Sequence, residues 1–459
     1  MPPLPLSSSP QPRVWFDVED LFEYARTGSR PSGIQRVAFE IQSAMQALPE
    51  MQGTRVGFLR HTTDGRGFTP VQPESVRALH DRLCSHALSA TTHIETGNEG
   101  EQKASSARRL ARHLPASLRV PLGQLVSHQS AAFRDLSALL RATGTTLRQT
   151  WTERHTSQEA NIASPRAGDI LLALGAPWSH TAYGTLLERV RDQGVRTGLL
   201  VHDLVPLIAP EWCRPGLPRV FRRWCESTLP AIDRLFAVSH STRDDIARLF
   251  PGKAASVIRM GTGFSKSRSI TGHTDLPLSL QTPFVLVVGT IEVRKNHALL
   301  FHLWRKLLAD HPRATIPRLV MAGSPGWLAS DLMQQIRNCN FLNGHIALVH
   351  APSDALLEAL YHHALFTLVS SLHEGWGLPV TESLAHGTPC LIANRGALPE
   401  AGGGLTPLFD PDNLHDVQAC VERVIHAPEE LARLRSRIAT TFQPTPWSIA
   451  AQQLLSAFH

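Results

Sequence analysis

Cysteine is scarce and shows no pairing pattern. The 459 residues contain six, at 84, 213, 225, 339, 390 and 420, with no C-x-x-C pair and no metal-ligand spacing. That argues against a disulfide framework and for a reduced compartment. Long hydrophobic runs are missing as well. No stretch of about 18 apolar residues occurs, so no transmembrane helix is expected. The proline-rich start, 1–12, lacks a basic beginning and an apolar core, so it reads as a loose, disordered tail and not as a signal peptide. Together these absences point to a cytoplasmic protein. Motifs that read RNA or DNA are also wanting, and most basic residues are scattered, so nucleic acid is not an expected partner.

What is present is an ordinary globular composition, 42% apolar and 18% charged, over a length that suits two domains. The net charge of +6 invites an anionic partner. Basic residues are dense only between Lys103 and Arg148, where Leu110, Leu114, Leu118 and Leu122 interleave with them. Such a segment is either a helical insertion with a solvated face or a basic amphipathic surface for peripheral contact with an anionic membrane.

The richest stretch runs from Ser370 to Glu400. An apolar segment, 364–369, precedes it and reads as a strand. Glu374 then falls on a loop with Gly375, Trp376 and Gly377, and Leu378-Pro379 opens a helix that carries Glu382 on about its first turn. Gly387 stops that helix, and 389–393 (PCLIA) forms the next strand. Amide groups from Gly375 to Leu378 would face the crevice where an open α/β sheet binds ligands and a helix start attracts phosphate.

The run HEGWGLPVTESLAHGTPC, 373–390, closely resembles the donor-site signature of retaining glycosyltransferases of family four, which have the GT-B fold. Trp376 stands where phenylalanine is usual, and Ser383 where alanine is common. The resemblance implies two Rossmann-like α/β domains with parallel sheets facing across a cleft. It also implies a nucleotide-sugar donor, with Glu374 on the sugar hydroxyls and Glu382 on the ribose.

Other segments extend it. The strand 284–288 (FVLVV) delivers Gly289-Thr290-Ile291-Glu292-Val293-Arg294-Lys295-Asn296, close to a second family signature. Glycine there permits close approach, and Arg294 with Lys295 would stabilise a departing diphosphate. The strand 196–201 delivers His202, which by resemblance contacts the donor sugar and could donate a hydrogen bond to it; Asp203 either helps the acceptor or caps the turn. Near the start, Arg30-Pro31-Ser32-Gly33 feeds a helix, placing Gly33 and Arg36 at the same crevice. In Val238 to Ile246, Ser241 or Thr242 reads as a helix cap without chemistry.

The expected organisation is an acceptor-side domain over 13–263 with an insertion near 70–158. A linker over 264–282, a nucleotide-sugar domain over 283–445 and a final helix, 446–459, crossing back complete it. The implied function is transfer of a hexose, best taken as mannose from GDP-mannose, to a polyprenyl-linked or oligosaccharide acceptor in bacterial surface polysaccharide synthesis. Retention at the anomeric carbon is implied too. No D-x-D motif or His/Cys cluster stands where a donor metal would sit, so neither metal nor cofactor is expected. A nucleotide-sugar epimerase of the same fold and a non-catalytic nucleotide-sugar-binding scaffold are the alternatives. An epimerase would need acid/base carboxylates and histidines that are not identifiable here.

Overall fold

The computed structural model describes residues 12–27, 31–52, 55–62, 64–89, 93–97, 164–263 and 276–459. The basic segment 103–148 and the greater part of the 264–282 linker lie outside them.

Fourteen strands are found among the described residues. β1 (Val14–Asp17), β2 (Val56–His61), β3 (Phe68–Val71), β5 (Ile170–Ala173), β6 (Arg196–Val201), β7 (Arg234–Ala237) and β8 (Ala255–Val257) form one sheet, ordered β3-β2-β1-β5-β6-β7-β8. The other sheet is ordered β14-β13-β12-β9-β10-β11-β4. Its strands are β4 (His93–Thr96), β9 (Phe284–Val288), β10 (Arg318–Ala322), β11 (Ile346–His350), β12 (Thr367–Val369), β13 (Cys390–Ala393) and β14 (Leu408–Phe409). All pairings are parallel except β2–β3 and β11–β4. Helices follow most strands, giving two doubly wound Rossmann-like sheets, as the GT-B resemblance implied. The central strands are continuous apolar runs because both faces are covered. Val285, Leu286, Leu319, Val320, Met321, Ala347 and Leu348 are fully buried.

Two segments depart from the expected division. The region from residue 70 reads from sequence as an insertion, yet Phe68–Val71 pairs antiparallel with β2 and the helix Pro73–Ser89 sends Val76, Leu79 and Leu83 into the N-terminal core. Period-2 and parallel-strand patterns do not reveal an antiparallel edge strand of four residues. Next, β4 leaves the N-terminal half altogether and pairs with β11 of the C-terminal sheet. At the linker's end, Leu276 and Leu280 are buried in the C-terminal core. The last helix, Trp447–Ser456, packs on the N-terminal core through Ala450, Ala451, Leu454 and Leu455.

Candidate functional site

The carboxyl ends of β6, β9, β10 and β12 open on one cleft of about 870 Å³ between the two sheets. Gly33, His202, Gly289, Thr290, Arg294, Lys295, Glu374, Gly375, Trp376, Gly377, Leu378 and Glu382 all line it. Every site residue expected from the sequence is therefore brought to a single place.

Glu374 is the electrostatic centre. Its side chain is buried, with Oε2 accepting from Arg294 Nη1 at 2.8 Å and Oε1 from Ser371 Oγ at 2.7 Å and from Lys295 Nζ. Burial opposes ionisation, but the charges of Arg294 and Lys295 outweigh it and hold the carboxyl well below its usual range. Arg294 also forks onto Glu292 Oε1 through Nε and Nη2, at 3.2 and 2.9 Å. Burial disfavours its charge, yet Glu374, Glu292 and Asp203 raise its pKa further. The cations are positioned through their backbone. Leu372 N donates to Arg294 O at 2.9 Å, and Ser370 Oγ to Lys295 O at 2.9 Å, tying the loop after β9 to the end of β12.

A second network surrounds Glu382. It stands just past the first turn of the helix Leu378–Ala385, close to its expected place, and is 3% exposed. Arg36, from the other domain, reaches Oε1 at 2.5 Å, and Tyr361 Oη donates to Oε2 at 2.9 Å. Tyr361 gives no signal in the sequence, since a tyrosine near the end of a helix is ordinary core material. Gly377, with φ of 114°, turns the chain into this helix. A Cβ on Gly375 would stand 1.7 Å from His202 O, so the two backbones approach closely there.

His202 departs from its expected role. Its Nε2 lies 2.8 Å from Leu174 O, and a carbonyl only accepts, so Nε2 carries the proton. Burial depresses its pKa against the weaker pull of that hydrogen bond and of Asp203. The ring is neutral, and Nδ1 is left as an acceptor for a hydroxyl. Asp203 caps the turn through Val205 N at 3.2 Å.

The cap of the helix His240–Leu249 is Ser239, whose Oγ accepts from Thr242 N, in place of the expected Ser241 or Thr242. Ser239 ends the strand–turn in extended backbone, where its hydroxyl can reach the amide three residues on, in the first turn of the helix; Ser241 and Thr242 are already inside. The motif is an interdomain clasp. Thr242 Oγ1 lies 3.3 Å from both His202 O and Gly375 O, His240 N donates to Glu400, and His373 Nε2 stands 3.3 Å from Asp245.

Residues 273–440 match the model of the glycosyl transferases group 1. The match takes in much of the C-terminal part of the chain, which is similar to that family over these residues. Among curated relatives, it is 27% identical over 267 residues to the serotype-specific mannosyltransferase WbdA of Escherichia coli, covering 55% of this chain and 32% of that one. It is 26% identical over 224 residues to the O-antigen chain mannosyltransferase B of the same organism, covering 48% and 58%. It is 27% identical over 239 residues to the GDP-mannose:cellobiosyl-diphosphopolyprenol alpha-mannosyltransferase of Komagataeibacter xylinus, covering 51% and 58%. The chain thus spans about a third of the first relative and somewhat over half of the other two.

The cleft also has a wall that sequence reasoning missed. Trp178, Trp212, Phe221 and Trp327 line it, and the Arg214 guanidinium stands 4.7 Å from the Trp327 ring centroid. These aromatics come from two short 3-10 turns, a helix and a loop, with no shared spacing to expose them. The chain's D-x-D, Asp410-Pro411-Asp412, sits elsewhere, with both carboxylates accepting from Arg395.

Proposed function

We propose that the protein transfers a hexose, mannose from GDP-mannose, to a hydroxyl of an oligosaccharide or polyprenyl-linked acceptor, with retention and without a metal ion. The observation carrying this reading is the gathering of Arg294, Lys295, Glu374 and Glu382 around one cleft at the strand ends. The names of the mannosyltransferase relatives support the choice of sugar.

In this reading Arg294 and Lys295 receive the diphosphate, whose charge grows as the glycosidic bond breaks. The amide groups at the start of the helix Leu378–Ala385 add to that field. Glu374, held ionised between the cations, accepts from hydroxyls of the donor sugar and fixes the reacting carbon over the leaving group. Glu382 takes the ribose, with Arg36 and Tyr361 holding its carboxylate in place. His202 Nδ1 accepts a further sugar hydroxyl. The leaving phosphate oxygen receives the acceptor proton, so no separate enzymic base is required. The tryptophan-rich wall offers apolar faces on which an acceptor sugar ring can stack. Peripheral contact with an anionic membrane through 103–148 completes the proposal for a lipid-linked acceptor.

Thermal stabilisation by GDP, UDP, ADP and dTDP, each with and without a divalent metal, tests the donor. A shift with GDP alone, indifferent to metal, supports the reading. A UDP shift replaces the donor, and no shift with any of them overturns the transferase assignment. Product from GDP-mannose and a polyprenyl-linked oligosaccharide, analysed for anomeric configuration, then tests transfer and retention.

A further inference from the structure

β4 lies at the edge of the C-terminal sheet, and its register with β11 sets His93 opposite His350. Residues two apart along a strand share a face, so Glu95 lies on the same side as both histidines. His350 Nε2 is 2.8 Å from Glu95 Oε1, and His93 Nδ1 is 3.9 Å from the same oxygen. One ligand atom from each of the three falls within 4.8 Å of the others. Tetrahedral zinc holds nitrogen and oxygen ligands near 2.0–2.2 Å, which places them about 3.4 Å apart. The observed separations straddle that value. The exposed His93 ring closes the gap by a side-chain rotation.

We propose that His93, Glu95 and His350 form a binding site for a divalent transition metal, zinc by the chemistry of its ligands, that fastens β4 to the C-terminal sheet. Two imidazoles and a carboxylate, with a fourth position open to solvent, are a donor set that zinc accepts. Arg337 supports the carboxylate from behind, with Nε 3.0 Å from Oε2 and Nη2 3.1 Å from Oε1. The metal takes Oε1 and displaces the second of these contacts. The first remains and orients the ligand. β4 needs such a fastening. It has four residues, sits at an edge, and comes from the half of the chain whose other described strands build the opposite sheet. The site is separate from the Glu374 centre, though His350 directly precedes Ala351 and Pro352, which line the cleft. The proposal does not depend on the nature of the donor.

The test uses the full chain without a histidine tag, stripped with chelator and dialysed, then titrated with zinc in a calorimeter. Cobalt(II) replaces zinc in a parallel sample for its absorption spectrum. The expected result is one equivalent of zinc bound, a tetrahedral cobalt spectrum and a higher melting temperature. Affinity should fall at least about tenfold in His93→Ala and in His350→Ala. The His93 side chain is 71% exposed, so His93→Ala folds as the parent does and its loss of zinc reads the site directly. No stoichiometric binding by the stripped protein, or equal affinity in His93→Ala, overturns the site. In that event the cluster is a hydrogen-bonded latch centred on Glu95.

Discussion

Replacing Glu374 with glutamine separates the two duties assigned to its surroundings. The carboxylate neutralises Arg294 and Lys295, whose side chains are 19% and 15% exposed. Breaking a buried pair by removing one partner costs about 3–5 kcal/mol, and glutamine keeps an acceptor oxygen, so the lower end applies. A second estimate agrees. Two cations on the two oxygens of one carboxylate are about 5–6 Å apart, and at an effective dielectric near 20 they repel by about 3 kcal/mol once the anion is gone. Glu374→Gln should therefore melt at a lower temperature without ligand. GDP brings negative charge to the freed cations but no sugar, so it should bind at least about tenfold tighter, the equivalent of about 1.4 kcal/mol of relieved repulsion. Transfer should nevertheless collapse, because nothing then fixes the donor sugar. Melting curves with and without GDP, calorimetric GDP affinity and transfer rate read the three effects. A variant with unchanged melting temperature and unchanged GDP affinity would refute the charge balance described here.

Gly375→Ala drives a methyl group into His202 O and should open the clasp between domains, lowering activity far more than the small change in side chain suggests. Normal turnover with normal stability would contradict the contact. Tyr361→Phe removes a neutral donor to a buried carboxylate, and should cost about 1–3 kcal/mol and weaken donor binding. Urea midpoints and donor affinity check it, and no change in either would remove Tyr361 from the site. His202 stays neutral because burial depresses its pKa, so its contribution should be flat from about pH 8 to about 6.5 and be lost only at lower pH. A break in donor affinity above pH 7 that His202→Ala abolishes would disprove this. Burial, with help from the Lys295 charge, lowers the His297 pKa to about 3. The unfolded chain takes up a proton below about pH 6.5 that the folded state refuses, so stability falls as pH drops through that window, by up to about 1.4 kcal/mol per unit. His297→Leu should flatten this acid limb in urea titrations, and an unchanged limb would count against it.

Much of the fold was legible because its strands are extremes of their type. Phe284–Val288 and Arg196–Val201 are found where their apolar runs place them, each ended by a polar or glycine residue that faces the cleft. The helix Leu378–Ala385 was readable from Pro379 and Gly387 for the same local reason. Pairings between distant segments were not. Nothing in Tyr361 or Arg36 announces Glu382, because both reach it across the tertiary structure from separate helices. The reading of Val238 to Ile246 as capping alone missed Thr242 for a related reason. Its backbone role satisfies local expectations and conceals a hydroxyl shared with Gly375. β4 was illegible altogether, since a four-residue strand borrowed by another sheet carries no periodic signature.

That borrowed strand sets terms for cutting and recombining the chain. A fragment beginning at residue 276 would contain nearly all of the matched region yet lack β4, leaving the unpaired edge of β11 free to seek another strand. A fragment ending at residue 263 would lose Trp447–Ser456 from its core. Neither half is therefore a self-sufficient module at its sequence boundary. A chimera that exchanges the C-terminal half between relatives keeps 93–96 in the N-terminal part of its sequence but must match it to the new β11. Co-expressed halves should solubilise one another where each alone aggregates.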